Sequence, residues 1–166
     1  MIADPVERGC ALAAFHQSVA PSLFEHLAET GLLPAAAPAH AAARGEWDVF
    51  SLYACVRGLV AACGFGPETS AAIDALHERV LESWVSKEPD LAAFAARRER
   101  MAERYEEYGA LARDGGAGGA ADLARRLGRA AARHLAGPDA PEALADLAGA
   151  LHETLAEGAA EYLRRA

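Results

Sequence analysis

The chain has few of the residues from which disulfide frameworks and thiol chemistry are built. It contains three cysteines, Cys10, Cys55 and Cys63, and no two of them form a Cys-x-x-Cys pair. This pattern fits neither a disulfide framework nor a zinc site, so we expect three reduced, buried thiols. Cys55 and Cys63 lie in an apolar stretch, which disfavours the thiolate form and therefore a reactive role.

Motifs that mark the common enzyme classes are also missing. There is no Gly-x-Ser-x-Gly nucleophile motif, and the few serines have no recognisable partner. The glycine-rich residues 114–119 follow no strand and precede no Gly-Lys-Ser/Thr, so neither a P-loop nor a dinucleotide fingerprint fits. We predict a linker at 114–119, no catalytic residue and no bound cofactor.

Positive charge is scarce, and Lys87 is the single lysine. The formal net charge is −8 at pH 7, which disfavours nonspecific binding to nucleic acid or to anionic membranes. Residues 122–128 have the alanine and Leu-Gly spacing of the first half of a helix-turn-helix, but residues 129–132 continue the helical pattern where a turn should follow. We therefore expect no nucleic-acid partner and no membrane partner.

The first residues, MIADPVERG, do not have the charged and then apolar pattern of a signal peptide. Together with the expected reduced thiols, this predicts a cytoplasmic protein. The bias towards alanine, arginine and glycine indicates a GC-rich bacterial genome and carries no information on mechanism.

Apolar residues recur at helical spacing through most of the chain, and β-branched residues are sparse, which predicts an all-α fold. The most apolar stretch, residues 46–64, has apolar side chains around the whole helix circumference, as in a core helix. Asp48 and Arg57 within this stretch argue against a membrane span. We predict a single helical domain, residues 1–166, with five to seven helices around a central apolar helix at residues 46–64.

Prolines and capping residues indicate where the other helices begin and end. Asp4 is the expected N-cap of the first helix, and Pro21 predicts a kink or a division into two short helices. Residues 34–45, with two prolines and a terminal glycine, are expected to form a linker. A long helix is expected from Pro89 to about residue 113, and Asp139 is the expected cap of the last helix.

A weak internal repeat follows from the tetrapeptide Ala-Leu-His-Glu, which occurs at residues 75–78 and again at residues 150–153. Each copy comes after a Pro-Glu pair that opens its helix. The segments 46–87 and 120–165 would then be two copies of a helical hairpin. The alternative is coincidence, since Ala-Leu pairs are common in a helical chain of this composition.

Arg57 is the most informative polar residue of the central helix. An unpaired buried guanidinium is very costly, so its side chain must reach solvent or a carboxylate. Asp74 and Glu78 of the next helix are the expected partners in a salt bridge. The alternative is an anion-binding arginine at the base of a pocket.

The remaining candidate ligand-binding residues lie on the third and fourth predicted helices. His77 sits beside an apolar stripe, three residues after Asp74, where it would either bind a metal or form a hydrogen bond. No Glu-x-x-His motif of the kind used by two-metal helical bundles is present, so we predict no metal site. Tyr105 and Tyr108 indicate a partly wet groove or a subunit interface.

These observations favour a non-enzymatic helical interaction or regulatory protein that self-associates as a homodimer or binds another protein. The alternative is a small-molecule or metal-binding bundle with a pocket near Arg57 and His77. The two functions predict different properties in solution, self-association in the first case and a bound ligand in the second.

Overall fold

A computed structural model of the protein describes residues 2–87, 90–114 and 119–166, and these residues form six α-helices and no strand. The helices are α1 (Pro5–Glu29), α2 (Ala37–Cys63), α3 (Pro67–Lys87), α4 (Leu91–Arg113), α5 (Gly119–Ala136) and α6 (Glu142–Arg165). The predicted all-α bundle is confirmed. The predicted helix break at Glu88 and Pro89, and residues 115–118 of the predicted linker, lie outside the described residues.

Helix α2 is the centre of the bundle, because it contacts each of the other five helices. Trp47, Phe50 and Leu52 are at most 1% exposed, and α2 is buried or half-buried from Glu46 to Val60. Its last turn opens to solvent at residue 61. Across the described part of the chain, no helix combines the length and hydropathy that a transmembrane span requires.

The prediction of a linker at residues 34–45 is wrong, because α2 begins at Ala37. Pro38 lies in the first turn of α2, where its missing N–H would have no partner within the helix in any case. The alanines that follow have the highest intrinsic helix propensity. Ala43 is buried against the bundle, so packing stabilises the extension.

Helix α1 begins as predicted, since the Asp4 side chain accepts hydrogen bonds from the backbone N–H groups of Val6 and Glu7. It then runs without interruption through Pro21, so the division into two short helices does not occur. The indole N–H of Trp47 donates a hydrogen bond of 2.8 Å to the carbonyl of Ala20, next to this proline. That bond holds α1 against α2 beside the proline.

The predicted cap of the last helix is also wrong. Helix α6 begins at Glu142, its N-cap position is Pro141, and no side chain caps it. Asp139 lies in the turn that follows Gly137, which has a φ of +92° and ends α5. Pro141 fixes the extended backbone from which the helix starts, and this leaves Asp139 too early in the chain to act as the cap.

Three helix pairs approach closely at glycines. A Cβ atom at Gly9 would lie 2.3 Å from a backbone oxygen of α3, and one at Gly58 would lie 2.4 Å from a backbone oxygen of α6. Gly128 of α5 and Gly149 of α6 face each other.

Helix α3 packs mainly on α1, whereas α6 packs on both α2 and α5. The two segments of the predicted repeat, 46–87 and 120–165, are therefore not packed alike.

Among the described residues of helix α4, Tyr108 is the one that is fully buried. Ion pairs with neighbouring helices therefore help to hold α4 on the bundle. Glu46 of α2, only 8% exposed, accepts hydrogen bonds of 2.9 and 3.3 Å from the guanidinium of Arg104. Glu107 lies 2.6 Å from a ring nitrogen of His134 on α5. Charged residues of α4 therefore contact neighbouring helices as well as solvent.

Candidate functional site

Arg57 forms its salt bridge with Glu153 of α6, so the predicted partners Asp74 and Glu78 are wrong. Arg57 and Glu153 are both about three-quarters buried. The neighbouring Gly58 explains the choice of partner, because it lets the backbone of α2 approach Ala156 on α6. Arg57 lies beside this contact and so pairs with a carboxylate of α6 rather than of α3.

Asp74 and His77 line an open groove between α3 and α4, which we call the α3–α4 groove. Its volume is about 730 Å³, within the range of small-molecule sites. The residues that line it are Asp74, His77, Glu78, Leu81, Glu82, Val85, Ser86, Phe94 and Arg98.

The lining of the α3–α4 groove combines apolar side chains with an excess of negative charge. Leu81, Val85 and Phe94 supply apolar surface. Three carboxylates, on residues 74, 78 and 82, face a single guanidinium, that of Arg98. Within the described part of the chain, Arg98 forms no ion pair, and Glu82 is shared with Arg79 at 2.9 Å. The groove therefore carries a net negative charge.

His77 and Tyr105 form a hydrogen-bonded pair behind the α3–α4 groove. The Nε2 atom of His77 lies 3.1 Å from the Tyr105 hydroxyl, and the two rings meet edge to face. Burial lowers the pKa of His77, with Asp74 acting in the opposite direction. Burial also raises the pKa of Tyr105 well above its usual range, so both partners are neutral at pH 7.

Tyr108 lies in the core rather than in a groove. It is 0% exposed, contacts the rings of Phe50 and Tyr53, and its hydroxyl has no hydrogen-bond partner among the described residues. Burial raises its pKa strongly. The structure thus separates the five predicted ligand-binding residues. Asp74 and His77 line the α3–α4 groove, and Tyr105 lies behind it. Tyr108 is in the core, and Arg57 lines another surface.

Sequence reasoning did not single out two buried histidines in the core. His152 of α6 stacks on Phe50 with ring centroids 4.4 Å apart, and neither of its ring nitrogens has a partner of normal hydrogen-bond geometry in the described structure. Its pKa is lowered to about 3, mainly by burial and further by the charge of Arg57, whereas the Phe50 backbone acts to raise it. The Ala-Leu-His-Glu repeat contained the residue, but only as a sign of duplication.

His16 of α1 is the second buried histidine. Its Nε2 atom lies 2.9 Å from the hydroxyl of Ser51 on α2. Burial lowers its pKa to about 4, with a smaller opposing contribution from the Asp48 backbone. Its position about three turns into α1, in a mixed stripe, gave no signal of its role.

All three cysteines are free. The prediction that all three are buried is wrong for two of them. Cys55 is buried, whereas Cys10 and Cys63 are half-buried. Burial raises the pKa of the Cys55 thiol to about 12. Among the described residues, no three His, Cys, Asp or Glu side chains are arranged to hold a metal ion.

Comparison of the chain with protein-family models, with curated proteins and with solved structures finds no match in any of the three.

Proposed function

We propose that the protein is a non-enzymatic binding protein, and that its α3–α4 groove takes a small organic cation with an apolar body. The observation that carries this proposal is the combination of an apolar lining with three carboxylates against one guanidinium. An apolar body would cover Leu81, Val85 and Phe94, and a positive charge would lie near the carboxylates. The neutral His77–Tyr105 pair adds a hydrogen-bonding group at the inner wall without adding charge.

Two hydrophobic ions of equal size and opposite charge test the charge preference of the groove. We expect isothermal titration calorimetry to show saturable binding of tetraphenylphosphonium and much weaker binding of tetraphenylborate. The double variant Asp74→Asn/Glu78→Gln should bind tetraphenylphosphonium roughly fivefold more weakly, because two exposed charge contacts together contribute on the order of 1 kcal/mol.

The matched control is the double variant Asp146→Asn/Glu157→Gln, which removes the same net charge from exposed positions of α6. It should bind tetraphenylphosphonium as the unchanged protein does. Equal affinity for the two ions, or an equal loss in both double variants, would contradict binding of a cation in this groove.

A second function, self-association, is favoured by exposed apolar residues beside the same groove. Leu91 is 76% exposed, and it precedes Phe94 by three residues and Arg98 by seven, so it continues the stripe of α4 that lines the groove. Val85, on the opposite wall, is 42% exposed. Two copies that pack these faces together would cover both side chains.

Light scattering across a range of protein concentrations tests self-association through this face. We expect a dimer at high concentration and a monomer for the variant Leu91→Glu, because the new charge would be buried in the contact. The control Val6→Glu changes an exposed apolar residue of α1 and should leave the dimer intact. A monomer at every concentration would contradict this second function.

A further inference from the structure

Helices α2 and α4 enclose a second groove, which we call the α2–α4 groove. Its volume is about 330 Å³. The residues that line it are Tyr53, Val56, Arg57, Val60, Ala61, Phe65 and Ala112. None of these residues lines the α3–α4 groove, so the two surfaces are distinct.

Arg57 presents unused hydrogen-bond donors at this groove. Its bond to Glu153 uses one nitrogen, Nη1, of a guanidinium that carries five N–H groups. Within the described ranges, no other residue accepts a hydrogen bond from the Arg57 guanidinium. A guanidinium with a free edge is suited to a carboxylate, which it binds through two parallel hydrogen bonds.

Tyr53 places a second free donor at the same end of the groove. Its side chain is 8% exposed, and its hydroxyl forms no hydrogen bond with any described residue. Burial raises the pKa of Tyr53, and the charges of Arg57 and Arg113 lower it, so both guanidinium groups act on this hydroxyl. Arg113 itself makes no ion pair within the described part of the chain. The polar end of the groove is therefore rich in hydrogen-bond donors, and the residues that line it include one guanidinium and no carboxylate.

The rest of the groove is apolar. Val56, Val60 and Ala112 line it, and Phe65, in the turn between α2 and α3, stands at its rim with 93% of its surface exposed. An apolar group in the groove would remove part of this aromatic surface from water, which is favourable in proportion to the area covered.

We infer that the α2–α4 groove binds an organic monocarboxylate with a short apolar tail, its carboxylate on Arg57 and the Tyr53 hydroxyl and its tail against Val60 and Phe65. Complementarity argues for this class of ligand, since the residues that line the groove supply a guanidinium and a hydroxyl as donors and no carboxylate. The volume of about 330 Å³ restricts the tail to a short alkyl chain that ends in at most a single ring.

The probe for this site is 4-phenylbutanoate, compared with the neutral amide 4-phenylbutanamide of the same shape. We expect calorimetry to show saturable binding of the carboxylate and at least tenfold weaker binding of the amide. The variant Tyr53→Phe keeps the ring and removes one hydrogen bond to a charged group, so it should weaken carboxylate binding about tenfold. Phe65→Ser, at an exposed position, should weaken binding of both probes.

Two controls separate this site from the α3–α4 groove. Asp74→Asn/Glu78→Gln should leave 4-phenylbutanoate binding unchanged, and Tyr53→Phe should leave tetraphenylphosphonium binding unchanged. Equal affinity for the carboxylate and the amide, or an unaltered affinity for the carboxylate in Tyr53→Phe, would overturn the inference. Loss of tetraphenylphosphonium binding alone would count against the cation site and leave this one standing.

Discussion

We expect the substitution Gly128→Ala to lower the free energy of unfolding by about 3 kcal/mol, at the upper end of the usual cost of overpacking. A Cβ atom at this position would lie 2.1 Å from the carbonyl oxygen of Ala145 and within 3.0 Å of backbone atoms of Gly149. These are backbone atoms of α6, so no side-chain rotation relieves the overlap. Helix α5 would have to move away from α6 along their whole contact, at a cost in buried area on both.

Gly45→Ala is the matched control, because it adds the same methyl group to another helical glycine. A Cβ atom at Gly45 would meet only the end of the Arg100 side chain, at 3.6 Å. Alanine in a helix interior is favoured over glycine by about 1 kcal/mol, so this variant should be slightly more stable than the unchanged protein. Urea unfolding followed by circular dichroism measures both changes, and similar values for the two variants would contradict the close α5–α6 contact.

The central helix was predictable from the sequence because its signal is local. A stretch with apolar side chains in every direction has to be surrounded, whichever segments surround it, and α2 contacts all five other helices. In the same way, Asp4 was recognisable as a cap because the partners of a cap lie two and three residues away.

The errors concern choices between local signals of similar strength, or contacts between distant segments. Pro38 either ends or begins a helix, depending on whether it falls in the first turn, and the alanines after it decided for a helix that starts at Ala37. The partner of Arg57 depends on which helix packs on that face of α2. Sequence order favoured α3, whereas the packing at Gly58 brings α6 there.

The candidate site was only partly accessible from the sequence for the same reason. Asp74 and His77 lie three residues apart on one helix, so helix geometry alone brings them to one face. Arg57, which was expected at the same pocket, lines another surface. Tyr53 and Phe65 were not singled out, because an aromatic residue in an apolar stretch ordinarily belongs to the core. Their part in a second groove depends on how α4 lies across α2, which no local pattern encodes.

Acid should destabilise this protein more than its surface charges alone would, because His16 and His152 are buried in neutral form. Their pKa values fall from 6.5 to about 4 and about 3 in the folded protein. Below pH 6.5 the unfolded chain therefore binds protons that the folded chain does not, and the free energy of unfolding falls with pH. The contribution is fully present above pH 6.5 and is lost as the pH approaches the folded values.

At pH 4.5 each of these histidines should have lowered the free energy of unfolding by about 2.5 kcal/mol, or about 5 kcal/mol together. Each pH unit in this window corresponds to about 1.4 kcal/mol for each proton. Such a loss is a large part of the stability of a typical domain. We expect a steep fall in the midpoint of urea unfolding between pH 7 and pH 4.5. A stability that stays constant over this range would contradict neutral burial of the two rings.

The variant His152→Leu tests whether half of this loss in the free energy of unfolding comes from the His152 ring. Leucine has a similar volume, and it removes two buried nitrogens that have no partner of normal geometry in the described structure, so stability at pH 7 should change little. Between pH 7 and pH 4.5 the variant should lose about 2.5 kcal/mol less than the unchanged protein. His26→Gln, at an exposed position of α1, should retain the full loss. Because the comparison is between two pH values of one variant, a packing defect introduced by leucine cancels. If His152→Leu lost as much free energy of unfolding in acid as the unchanged protein, His152 would not be the group that resists protonation.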